Sequence, residues 1–205
     1  MVPDAEILGE LAPEKLIWAY SHGVFPMIDE GQLLWFSPDP RGVLPLDGRF
    51  HVSRSLRGTI ARGAFDCTVD KCFGAVMDLC GQGRDEGTWI TSEMKVAYGK
   101  LHELGFAHSV EAWPAGQVGD GQPAGGLYGV SIGGAFFAES MFHRHTDAGK
   151  VALVYLIRRL ARRGYVMCDV QWTTDNLRRF GAFDMPRTSY LGMLIRAVTA
   201  ECRFA

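Results

Sequence analysis

The chain predicts an α+β fold in which helices pack on a largely antiparallel sheet. Three observations lead there. The segments AHSVEAW, GLYGVSIG and AFFAESMF follow one another as strand-like runs, joined by the glycine-rich PAGQVGDGQPAG and by the turn Gly133-Gly134, which is the pattern of a meander. The segment DAGKVALVYLIRRLARRG then carries the strongest helical periodicity, with Val151, Val154, Tyr155, Ile157 and Leu160 on one side and arginines on the other. Finally, YVMCDVQ reads as a further strand and SYLGMLIRAVTAE as a last helix, with Thr188 as its expected cap.

The remaining elements follow in order. Pro13 to His22 form a short helix with Pro13 at its first position, Leu16, Ile17 and Tyr20 on one face and Gly23 as the stop. LLWF and VLPL are short strands separated by proline and glycine. The basic helix SRSLRGTIARG opens a larger unit, so the expected division is a small N-terminal α/β lobe over residues 1–48 and a second domain over 49–205. DCTVDK alternates as a strand, CFGAVMDLC is a helix, and Thr91 caps the helix SEMKVAYGKLHELG, which ends at Gly105.

Composition bounds the function. The 205 residues are 47% hydrophobic and 21% charged, enough for a real core. No apolar run approaches the roughly 18 residues of a membrane span, and the acidic start MVPDAEILGELAPEK does not read as a secretory signal, so the expected compartment is the cytoplasm. Five cysteines without CxxC spacing indicate neither a disulfide framework nor zinc. His102-Glu103 lacks the second histidine four positions on, and His143 and His145 read as part of a polar turn before Asp147, an expected N-cap; no metal is expected. Walker and dinucleotide fingerprints are absent, and in GRDEGTWI the bulky Trp89 stands where an acyl-CoA phosphate loop needs a small residue. No cofactor is expected. The net charge of −2 hides clumps of arginine: Arg54, Arg57 and Arg62; Arg158, Arg159, Arg162 and Arg163; Arg178 and Arg179. Each clump alone reads as a solubilising face or as a local polyanion site.

Two polar intrusions into apolar strands stand out: Glu139 in AFFAESMF, and Asp169 with Gln171 in YVMCDVQW. Regular alternation puts Asp169 and Gln171 on one face and Val170 on the other. Few polar groups converging among large apolar residues suit a small-molecule pocket. Equally, Glu139 could pair with an arginine such as Arg144, and Asp169 could cap the next helix; the residues alone leave both readings open.

Read together, AYSHGVFPM…LLWFSPDPRGVL, GTWITSEMKVAYGKLHELGFAHSVEAW, GGLYGVSIGGAFFAESMF and DVQWTTDNLRRFGAFDMPR resemble the bacterial leucyl/phenylalanyl-tRNA–protein transferases over nearly the whole chain. The resemblance implies an acetyltransferase-like (GNAT) C-terminal domain that uses no acetyl-CoA. It implies transfer of Leu or Phe, and less efficiently Met, from aminoacyl-tRNA to the α-amine of proteins beginning with Arg or Lys, which marks them for N-end rule degradation. The roles it carries over are catalytic for Asp169, Gln171 and Glu139, with Asp169 and Gln171 polarising the amine. Leu127, Phe136, Leu156 and Cys168 are implied for the side-chain pocket, and Trp35, Phe36 and Trp89 for the terminal adenosine. Arg54, Arg57 and Arg62 are implied for tRNA phosphates. Phe36 stands where the family often has a second Trp, Leu127 where Met is frequent, and Cys168 where Ile can occur, which bears on the preference among Leu, Phe and Met. The expected oligomeric state is a monomer. Two other classes compete with this reading: an acyl-CoA-dependent amine acyltransferase and a non-catalytic tRNA-binding module.

Overall fold

The structure, a computed structural model, describes residues 11–29, 31–82 and 90–205. Helix α1 (Pro13–Ser21) leads into a two-stranded hairpin, β1 (Phe25–Asp29) and β2 (Gln32–Phe36), in which Phe25 faces Phe36. The other strands are β3 (Arg41–Leu44), β4 (Phe65–Val69), β5 (Ala107–Pro114), β6 (Gly125–Ile132), β7 (Ala135–His143), β8 (Met167–Gln171) and β9 (Phe183–Met185). They form one seven-stranded sheet in the order β4-β5-β6-β7-β8-β3-β9. Neighbours from β4 to β7 are antiparallel, as the expected meander requires, and β3 is antiparallel to both β8 and β9. β7 and β8 alone run parallel, because α5 (Ala148–Arg162) carries the chain between them.

The interspersed helices are α2 (Arg54–Ala61), α3 (Phe73–Cys80), α4 (Ser92–Glu103), α6 (Asp175–Arg178) and α7 (Arg187–Val198). Alternation along the strands builds two apolar layers, one on each sheet face. On one side α2 and α5 bury Leu56, Val154 and Leu156 against Leu127, Phe136 and Cys168. On the other, α1, α3, α4 and α7 bury Tyr20, Met77, Tyr98 and Tyr190 against Tyr128 and Phe137. None of the helices among the described residues is long and apolar enough to cross a membrane.

Local chemistry explains the element ends. Ser53 and Thr91 accept the backbone N–H groups of Leu56 (3.3 Å) and Met94 (3.4 Å), so α2 and α4 begin where capping residues predict. One expected cap differs, and another holds its position without the usual bond. α7 starts at Arg187 with Pro186, not Thr188, in the cap position. Asp147 occupies the N-cap position of α5 as expected, in a left-handed conformation (φ 67°), but its carboxylate takes the Thr59 hydroxyl and the Lys150 ammonium instead of a helix N–H. β3 lies before the expected boundary at 48/49, yet it is built into the large sheet between β8 and β9.

Candidate active site

The site forms where two neighbouring strands part. β7 and β8 pair only as far as Phe137 and Asp169, while β7 continues to His143 and β8 to Gln171. Both strands are irregular just beyond that point. Opposite β6, Gly129 faces Ala138 and Tyr128 faces Ser140, so Glu139 is the extra residue of a bulge. Opposite β3, Val43 faces Asp169 and Gly42 faces Gln171, which leaves Val170 as the extra residue of a second bulge. Bulges re-aim side chains, and these two turn Glu139 and Gln171 toward each other across the opening: Gln171 Nε2 donates to Glu139 Oε1 at 3.2 Å.

A pocket of about 360 Å³ opens between the strands. Leu127, Met141, Leu153 and Val170 make its sheet and helix walls, Phe25 and Met27 close the side toward the hairpin, and Glu139 and Gln171 supply polar groups. Trp172, 42% exposed, stands at its edge, with its ring edge-on to Phe25 (5.1 Å between centroids) and to Phe36 (6.0 Å).

Among the described residues no arginine, Arg144 included, forms an ion pair with Glu139. Its carboxylate accepts from Gln171 and from the Tyr98 hydroxyl (3.4 Å), which in turn bonds Tyr20. Burial pushes the Glu139 carboxyl up to about 8, and the nearby Asp169 charge adds to the rise, while the tyrosine hydroxyls and Arg41 oppose it. Burial likewise raises the Tyr20 and Tyr98 hydroxyls well above their ordinary value.

Asp169 does not line the pocket. It is completely buried, and its two oxygens receive Arg41 Nε (3.0 and 3.1 Å), Arg41 Nη2 (2.8 Å), the Tyr190 hydroxyl (2.6 Å) and the backbone N–H of Gln171 (2.8 Å). It caps no helix; Thr174 caps α6. Simple alternation put Asp169 and Gln171 on one face and Val170 on the other. The structure corrects this: Gln171 adopts a left-handed φ of 58°, and Val170, Gln171 and Trp172 all border the pocket. Asp169 and Gln171 are still joined, by a backbone hydrogen bond instead of a shared face.

Of the other expected site residues, Leu127 lines the pocket, whereas Phe136, Leu156 and Cys168 are fully buried in the layer beneath it. Burial raises the Cys168 thiol far above its ordinary value, so it is no nucleophile. Phe36 belongs to the aromatic group at the pocket's edge, stacked on Phe25 at 6.0 Å; its neighbour Trp35 is partly buried and packs, like Phe36, against the core layer that holds Phe25. Trp89, with Arg84 and Gly87, lies outside the described residues. Arg54, Arg57 and Arg62 are exposed, on α2 and at its C-terminal end. Among the described residues no group of three His, Cys, Asp or Glu side chains could hold a metal ion.

Sequence reasoning did not single out Arg41, Met141, Leu153 or Val170. Leu153 was within reach, since it precedes Leu156 by three and so shares its helix face. Arg41 carried a fainter signal, a cation just ahead of the apolar VLPL.

An apolar pocket whose polar end holds an elevated carboxyl and a side-chain amide suits a small ligand with an apolar branch beside a polar group. Comparison with known proteins narrows the class. Residues 43–195 match the family described as leucyl/phenylalanyl-tRNA protein transferase, and residues 9–39 match its N-terminal domain. A leucyl/phenylalanyl-tRNA–protein transferase of Herpetosiphon aurantiacus is 46% identical over 95% of this chain and 98% of its own length. One from Magnetococcus marinus is 51% identical over 93% of this chain and 81% of its own. Among solved structures, "The structure of L-PGS from Bacillus licheniformis" aligns with 78% of this chain and 65% of its own at a TM-score of 0.47 and 11% identity, too distant to carry an argument. The chain belongs to the leucyl/phenylalanyl-tRNA protein transferase family and is an aminoacyltransferase.

Proposed function

We propose that the protein transfers Leu or Phe, and less efficiently Met, from aminoacyl-tRNA to the α-amine of proteins beginning with Arg or Lys, marking them for N-end rule degradation in the cytoplasm. The observation that carries the reading is the pocket between β7 and β8: apolar walls of Leu127, Met141, Leu153 and Val170 lead to Glu139 and Gln171. An unbranched-at-Cβ side chain enters the walls, which leaves its ester carbonyl near the polar end; a β-branched Ile or Val crowds the entrance. The protein acts as a monomer and needs no cofactor, because an aminoacyl ester is already activated. Its larger domain corresponds to the acetyltransferase-like (GNAT) arrangement.

In the reaction the amine nitrogen bonds to the ester carbonyl carbon, the bond from that carbon to the ribose oxygen breaks, and the oxygen leaves with a proton. Positioning supplies most of the acceleration. Glu139, whose carboxyl burial raises well above the ordinary carboxylate range, bonds the acceptor's α-amine or the ribose at the polar end of the pocket. Gln171 contacts the amine, and Asp169 acts through Gln171, its own oxygens being occupied. Either Phe36 or Trp35 on the hairpin, with Trp89, holds the terminal adenosine, and Arg54, Arg57 and Arg62 meet tRNA phosphates.

The test is transfer of labelled Leu from Leu-tRNA to a peptide beginning with Arg, without ATP or CoA. Transfer supports the reading. Acylation that requires an acyl-CoA, or tRNA binding without transfer, would assign the protein to another class.

A further inference from the structure

We propose that Arg41 is a positioning residue for aminoacyl transfer: it fixes the Asp169 carboxylate, and through it the conformation of Gln171 at the pocket. The proposal rests on the functional reading above. Arg41 is 1% exposed, and each of its nitrogens donates, Nε and Nη2 to Asp169 and Nη1 to the Gly23 carbonyl at 2.9 Å. Its guanidinium lies over two rings, Phe25 at 4.7 Å and Tyr190 at 4.8 Å. Burial disfavours its charge, but Asp169 together with Tyr190 and Glu139 outweighs that, and its affinity for the proton is raised.

What Arg41 holds matters more than the pair itself. A carboxylate whose oxygens are all taken by protein donors cannot touch substrate; it passes on direction. Its one contact toward the site is the Gln171 N–H, and Gln171 needs that contact. A left-handed conformation is disfavoured for a non-glycine residue. It is kept here by the bond to Asp169 and by a tight turn in which the Trp172 N–H donates to the Val170 carbonyl at 2.7 Å. Without the guanidinium, a buried carboxylate stands uncompensated and must neutralise or rotate. Gln171 then loses a charged acceptor, and its amide leaves Glu139. The same guanidinium reaches the opposite wall, because Phe25 lines the pocket and Gly23 leads into β1. A single side chain thus ties the apolar wall to the polar end. This requires the planar fork: a lysine keeps the charge but cannot hold both carboxylate oxygens and stack between two rings.

The experiment compares Arg41→Lys with Tyr190→Phe, which removes only the 2.6 Å bond to Asp169. The first readout is the Gln171 side-chain amide resonance in the nitrogen-15-labelled protein, assigned by its loss in Gln171→Ala. It is expected to move in both variants, and an unmoved resonance in a folded variant overturns the proposal. The second is transfer from Leu-tRNA: kcat of Arg41→Lys falls by about tenfold or more, the KM for charged tRNA stays within about twofold, and in the Gln171→Ala background the same substitution changes kcat by less than about twofold. An equal loss in both backgrounds marks a merely structural residue. If Arg41→Lys does not fold, Tyr190→Phe decides by the same two readouts. Absence of transfer by the wild type would sink the functional reading, while the resonance still decides whether Arg41 sets Gln171.

Discussion

Glu139 is accommodated in an apolar strand because it is the spare residue of a bulge. Its carboxylate escapes the regular face and meets Gln171 and Tyr98. These are neutral donors, so burial wins and the carboxyl is held at about 8. The unfolded chain gives up that proton near its ordinary value of ~4.3, the folded chain only near 8, so folding is favoured most below the lower value. Stability from this group is lost as pH rises through that window. The neutral Glu139→Gln variant escapes the loss: its melting temperature relative to wild type should rise between pH 5 and pH 9. A difference constant with pH would mean that Glu139 is ionised throughout. The oddity of Glu139 was visible in the sequence; its bulge and its partners from β8 and α4 were not.

At the scale of elements, helical periodicity predicted α5, and apolar runs bounded by turn residues predicted the meander and β8. Both missed what tertiary contact alone decides. The insertion of β3 beside β8, the parting of β7 from β8 and both bulges are set by strands distant in sequence, and Arg41 lies 128 positions from Asp169. One residue shows how tightly β3 is fitted. A Cβ on Gly42 would sit 2.8 Å from the backbone of Trp172 and of Thr173, the turn that follows Gln171. Backbone cannot give way as a side-chain tip does, so Gly42→Ala should cost about 1 to 3 kcal/mol. For a chain of this size that lowers the melting temperature by roughly 2 to 12 °C. It should also slow transfer more than a Gly→Ala change at the open position Gly48, where nothing lies within 4 Å. Equal effects at the two positions would remove Gly42 from the account.

For the molecule as a whole, the sheet separates two apolar layers and opens its site where β7 and β8 diverge, with the hairpin β1–β2 closing one side. The charged donor is far larger than this pocket, so its phosphates must meet the surface elsewhere. The exposed arginines of α2 suit that contact despite the net charge of −2. Replacing Arg54, Arg57 and Arg62 together should weaken tRNA binding and lower the magnitude of the salt dependence of log Kd by about 2 to 3. An unchanged slope would assign these residues to solubility. Sequence physics could not choose between those roles, because an exposed basic helix looks the same in either case.

The proposed function requires that the space between β7 and β8 receive the side chain of the transferred amino acid. Leu153→Trp tests it most directly, since it fills the pocket from α5 while leaving Glu139, Gln171 and the α2 arginines in place. Transfer of both Leu and Phe is expected to fall by about 10²-fold or more, with the affinity for charged tRNA unchanged and the fold retained. Transfer at the wild-type rate by a folded Leu153→Trp protein would contradict it.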